Sequence, residues 1–198
     1  MPIKRLSQTS LTSFQKHSNL LAGNAAFIPS DFELIQSVIL TSDTANVTFS
    51  SIPSTPYKHL QLRAVMRSTR AAATDSLRMS LNGDSGTNYV SHRLVGNGTT
   101  VTSAASTGDN IWDIDAFPGN TDTSGSFGLL IMDILDAFNT NKNTTIRHHA
   151  TRIGSANQLV RLTSGLWLST AAITSITLDQ NVGPNWLAGS RFSLYGIK

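Results

Sequence analysis

The 198-residue chain has no cysteine, which excludes disulfides and thiolate metal sites and leaves stability to core packing or assembly. Charge is scarce as well. Only 14% of residues are Asp, Glu, Lys or Arg, against about 25% in ordinary soluble domains. Ser, Thr and Asn must therefore carry the polar surface. No apolar run approaches the roughly 20 residues of a membrane-spanning helix, and the first residues lack the apolar core of a secretory signal. No membrane insertion is expected. Basic residues exceed acidic ones by three, and they are scattered from Lys4 and Arg5 through Arg63, Arg67, Arg70 and Arg78 to Arg147, Arg152 and Arg161. A nucleic-acid binder concentrates such residues on one stripe with interleaved aromatics, so no nucleic-acid partner is expected.

What the chain does have is alternation. Leu60, Leu62, Ala64 and Met66 alternate with Gln61, Arg63 and Arg67, and Leu77, Met79 and Leu81 alternate with Arg78 and Ser80. Side chains leave opposite faces of a strand in turn, so this rhythm predicts half-buried antiparallel strands over Leu60–Ser68 and Ser76–Asn82. Asn82-Gly83 supplies the positive φ of a hairpin turn, with Tyr89–Val95 expected as the returning strand. Phe32–Leu40, Val47–Ile52, Ile146–Arg152, Leu159–Ser164, Ile173–Leu178 and Arg191–Ile197 read as further strands. Phe127–Leu135, the most apolar run, reads as a central strand buried on both faces, and Gly96–Ser126 as a long loop anchored at Ile111–Ile114.

These short strands separated by turn residues predict an all-β domain over 31–198, an antiparallel β-sandwich of jelly-roll type with a closed barrel as the other architecture. Residues 1–30 mix Ser, Thr and Gln with isolated apolar residues and read as an extended N-terminal arm. A flexible tail is the other reading, although Leu20, Leu21, Phe27 and Ile28 would be poorly placed in solvent; the arm's contacts with a neighbouring subunit are assigned to Leu11, Phe14, Leu20 and Leu21.

Chemistry-bearing residue types are present without a spacing that defines a reaction. Gly83-Asp84-Ser85-Gly86 has the letters of a serine-protease nucleophile loop, yet the Asn-Gly turn explains its composition, and a triad also needs a positioned His and a buried Asp. His148 and His149 are adjacent, so on a strand they face opposite ways and cannot share a metal. Asp109, Asp113, Asp115 and Asp122 are oxygen ligands of the kind calcium prefers, without the glycine and glutamate of an EF-hand loop. Asp133 and Asp136 flank the apolar run; Asp133 is expected to pair with an arginine inside the sandwich and Asp136 to open a turn. No catalytic residue and no cofactor are expected. Trp186 lies in the loop Val182-Gly183-Pro184-Asn185-Trp186 and is the aromatic assigned to solvent and to stacking on a host-surface glycan.

Several ordered strings resemble a module of tailed-bacteriophage virion proteins. They are Val47-Thr48-Phe49-Ser50-Ser51-Ile52-Pro53, then YKHLQLRAVMRSTRAAATDSLRMSLNGDSG, FGLLIMDILDAFNTNKNTTIR, and SGLWLSTAAITSITLDQNVGPNW with the closing FSLYGIK. The resemblance runs from about Asp31 to Lys198. It implies a non-enzymatic tail fibre, baseplate or tail-tip subunit, associated as a homotrimer, fastened to other virion proteins by its arm and assembled in the bacterial cytoplasm. A capsid decoration protein that stabilises the head shell is the other role it implies.

Overall fold

The computed structural model describes residues 31–154 and 158–198, and in it the period-two pattern becomes twelve strands with no helix among the described residues. In chain order they are β1 (Phe32–Ile39), β2 (Asn46–Phe49), β3 (His59–Met66), β4 (Thr74–Leu81), β5 (Tyr89–Gly96), β6 (Val101–Asp109), β7 (Trp112–Pro118), β8 (Gly128–Leu135), β9 (Thr144–Arg152), β10 (Leu159–Trp167), β11 (Ile176–Gln180) and β12 (Arg191–Ile197). They form two antiparallel sheets. The larger has eight strands in the order β1-β12-β3-β8-β9-β10-β5-β6, and the smaller four in the order β2-β11-β4-β7. The expected arm, with Leu11, Phe14, Leu20 and Leu21, lies outside the described residues.

The core sits between the sheets. Leu60, Leu62, Ala64 and Met66 of β3 and Leu130, Met132 and Ile134 of β8 point inward and are essentially inaccessible to water. Leu77, Met79 and Leu81 of β4 and Ile176 and Leu178 of β11 meet them from the small sheet. Each of these Leu, Met and Ile side chains contributes roughly 1.5–3 kcal/mol through removal from water.

Three expectations are corrected. The alternating segments β3 and β4 are strands, but they lie in different sheets. Asn82 and Gly83 do turn the chain with φ of 54° and 69°, and Asp84 N–H bonds to the Leu81 carbonyl at 2.9 Å. The turn, however, hands the chain from β4 in the small sheet to β5 in the large one, so no hairpin forms. Second, Gly96–Ser126 is not one loop, because it contains β6 and β7. Its last part is organised by Arg67, which is 3% exposed and donates from Nη1 to the carbonyls of Thr123 and Ser126 and from Nη2 to those of Asn120 and Asp122, at 2.7–3.1 Å. A buried guanidinium is tolerable there because its two Nη groups meet carbonyl oxygens, although its buried Nε has no partner among the described residues. Third, β8 is buried on one face only; Leu129 and Ile131 point away from the core.

Candidate functional site on the outer face of the large sheet

Residues opposite one another in antiparallel strands share a face, so the pairing registers define rows across the outside of the large sheet. One row runs Val65, Leu129, Thr151, Val160, Gly96, Val101. The next runs Arg63, Ile131, His149, Leu162, Leu94, Ser103. Leu94 and Leu162 are neighbours in register and 47% and 51% exposed, and Val65, Leu129, Val160 and Val101 are exposed beside them. Outward positions of a sheet facing water are ordinarily polar. Here apolar side chains occupy the outward rows of β3 and β8 and again of β10, β5 and β6, with Thr151 and His149 of β9 between the two groups. The sheet is hollowed along this band, leaving a cavity of about 530 Å³ lined by Leu94, Ile131 and Leu162 and rimmed by His92, Arg147 and His149.

A polar ladder bounds the band on one side. Phe32 and Tyr195 stack with ring centroids 4.7 Å apart, and the Arg63 guanidinium lies 5.0 and 5.2 Å from the two rings. Arg63 Nε donates to Gln61 Oε1 at 2.7 Å, and Gln61 Nε2 to Asp133 Oδ1, also at 2.7 Å. Arg147 Nε completes the chain at Asp133 Oδ2, 2.9 Å away. Asp133 thus has its arginine partner as expected, but on the outer face, where the Arg147 side chain is 65% exposed. An exposed pair of this kind is worth about 0.2–1 kcal/mol, so the ladder fixes side-chain positions more than it stabilises the fold.

On the opposite face of the same strands, His148 is buried beneath Trp112. Trp112 Nε1–H donates to His148 Nδ1 at 3.2 Å, which requires a neutral ring with its proton on Nε2. Burial, the cationic Arg161 and then His149 push its pKa down to about 3. His149 faces outward, so the two imidazoles are separated by the sheet. Arg161, also interior, donates to Thr163 Oγ1 at 3.1 Å and to the Asp113 carbonyl at 3.0 Å.

The other sequence candidates are dispersed. Trp186 is corrected: it is fully buried, packed between Phe117 and Phe192 at centroid distances of 5.1 and 5.2 Å, with Nε1–H donating to the Leu178 carbonyl. Its loop folds inward because Trp186 bridges to both Thr44 and Ser68, so the indole has no face for a sugar. Trp112, Trp167 and Tyr89 are core residues too, and the partly exposed aromatic pair is Phe32–Tyr195. In the Gly83–Gly86 turn, Ser85 is exposed and Asp84 serves as an anchor, accepting from Gly86 N–H, Asn88 Nδ2 and Trp167 Nε1. Burial raises the Asp84 pKa, but those hydrogen bonds outweigh it and hold the carboxyl below its usual range.

Asp136 opens its turn with φ of 52°, its carboxylate on Lys142 and beside His59. Asp109 ends β6, Asp113 lies in β7 and Asp122 is buried in the turn held by Arg67. Among the described residues no three His, Asp or Glu side chains gather as a metal site.

The outer-face residues Leu94, Val160 and Leu162 were not singled out from the sequence, although a signal existed. In Leu159–Trp167 the positions alternating with Arg161, Thr163 and Gly165 are Val160, Leu162, Ser164 and Leu166. The larger apolar residues occupy the outward set. No family model, no curated protein and no solved structure matches this chain.

Proposed function

We propose that this chain is a non-enzymatic structural subunit of a tailed-phage particle, placed at a tail fibre, baseplate or tail tip and engaged in host attachment. The observation that carries the reading is the apolar band on the outside of the large sheet. Exposed apolar surface gathered on one face of a folded domain marks contact with another macromolecule, and part of it lies on strands β3 and β8, which hold two of the strings resembling virion proteins.

The strand order supports the jelly-roll form of the sandwich. If the neighbouring strands β5-β6 and β9-β10 are set aside as two inserted hairpins, the remaining order is β1-β12-β3-β8 over β2-β11-β4-β7. That is the order of two Greek keys wrapped into facing four-stranded sheets, an architecture used by viral coat proteins and lectins. The inserted hairpins extend the β8 side of the large sheet and supply much of the apolar band. In this reading the subunits associate as homotrimers, residues 1–30 fasten them to other virion proteins through Leu11, Phe14, Leu20 and Leu21, and the particle is assembled in the bacterial cytoplasm.

Burial of Trp186 favours a second reading, a decoration protein on the head. An apolar face without exposed tryptophan suits packing on a protein shell better than stacking on a host glycan. Gold-labelled antibody against the chain, applied to intact particles, tests both. Label at tail ends supports attachment and label on heads supports decoration. Particles that carry none of the chain, or substrate turnover by the purified protein, overturn the proposal.

A further inference from the structure

A sheet edge exposes unpaired N–H and C=O groups that will pair with another chain unless charge, proline, a bulge or shortness prevents it. Three of the four edges of the described sheets are protected in that way. β1 carries Glu33 and a register shift between Leu34 and Gln36. β2 has only four residues. β7 includes Asp113, Asp115 and Pro118, and its pairing with β4 shifts register beside Asp75. β6 is different. It is nine residues long and uncharged from Val101 to Gly108, and it contains no proline. Its irregularity, opposite Tyr89–Ser91, is confined to the Thr107–Gly108 end. Among the described residues no strand pairs with its outer edge.

The edge residues Thr102-Ser103-Ala104-Ala105-Ser106-Thr107 are all small and uncharged. Antiparallel pairing of β6 with itself, about a two-fold axis normal to the sheet, keeps the outer faces of both copies on one side and pairs residues of like parity. The register centred on Ala104 sets Ala104 against Ala104, Ser103 against Ala105 and Thr102 against Ser106, all within the regular stretch. Every opposing pair is then small and uncharged. Parallel pairing would instead set Asp109 beside Asp109, whereas the two-fold arrangement sends the two carboxylates to opposite ends. Cross-strand hydroxyl pairs of the kind this contact would form already occur within the chain, Ser37 Oγ with Ser193 Oγ at 2.8 Å and Thr48 Oγ1 with Thr177 Oγ1 at 3.1 Å.

We infer that β6 is a copy-to-copy contact, joining two large sheets edge to edge through a self-complementary antiparallel β6–β6 pair. The contact is distinct from any three-fold association and does not depend on the virion reading. It also puts the apolar bands of the two copies on one side of the joined sheet, since Val101, Ser103 and Ala105 lie on the same face as Leu94 and Leu162.

Sedimentation of the full chain tests it. An even number of 21.3-kDa chains is expected. Ala105→Lys should weaken the pair severalfold, because the two lysines become diagonal neighbours of like charge across the axis, with the melting curve of the dissociated chain retained. Because the protein has no cysteine, Ala104→Cys offers an independent readout under mild oxidation. A chain-to-chain disulfide is expected there and not with Val182→Cys in an exposed loop. A mass of one or three chains at all concentrations, or failure of Ala104→Cys to cross-link copies, overturns the inference. So does capture of an unrelated polypeptide on this edge by a monomeric chain.

Discussion

The two halves of the large sheet show what backing by a second sheet does to a strand. In β3, β8 and β9 every second side chain enters the core, and β7 of the small sheet lies across β8, β9 and β10. In β5 only Tyr89 is buried, and in β6 no residue is. The same backbone geometry therefore does two jobs: one half holds the molecule together, and the other presents surface. The backed half should be intolerant of core truncation and the projecting half tolerant of it, while surface charge should have the reverse consequence for assembly.

Trp186→Ala should give the largest effect, a loss of about 3–5 kcal/mol in urea unfolding, because it empties the space between Phe117 and Phe192. Retained stability would show that the Val182–Trp186 segment is not part of the core. The pH response should come next. His148 is neutral in the fold with a pKa of about 3, against 6.5 when unfolded. The unfolded chain therefore binds the extra proton between those values. Stability is full above pH 6.5 and falls as pH drops toward 3, by on the order of 4 kcal/mol if the ring stays buried. Asp84 has a lowered pKa and adds a loss only below about its ordinary 3.8. His148→Gln, which keeps an acceptor for Trp112, should flatten the slope between pH 6.5 and 4 in thermal melts; an unchanged slope would place the titration elsewhere.

Leu62→Ala in the backed half should cost about 2–5 kcal/mol, and Val101→Ala in the projecting half within about 0.5 kcal/mol. Equal effects would erase the distinction between the halves. Smallest of all, Arg147→Ala should change stability by no more than about 1 kcal/mol, since its pair with Asp133 is solvated.

The backed half was legible in the sequence because a strand with one dry and one wet face writes period two into its residues. β3 and β4 carried that pattern, though nothing local reveals that the chain changes sheets between them. β6 was not legible. With neither face buried, Val101–Asp109 has no reason to alternate, and its Ser, Thr, Ala and Gly read as loop. β8 was misread for the opposite reason. Its outward Leu129 and Ile131 made the run look buried on both faces, when they belong to the exposed apolar band. Trp186 was misplaced because Gly183 and Pro184 mark a turn without telling which way its aromatic points. The candidate site was therefore encoded as an excess of apolar residues at outward positions, a signal readable only once the sheets fix which way is out.

The proposal that a neighbouring virion protein covers this outer face is tested most directly by incorporation of Leu162→Lys into phage particles. Leu162 is half exposed on the outer face, so the purified variant should melt within about 0.5 kcal/mol of the parent. Coverage of the band by a neighbouring protein predicts that this well-folded variant is missing from purified particles. Its presence at the parental level would contradict the claim that the apolar band is an interface.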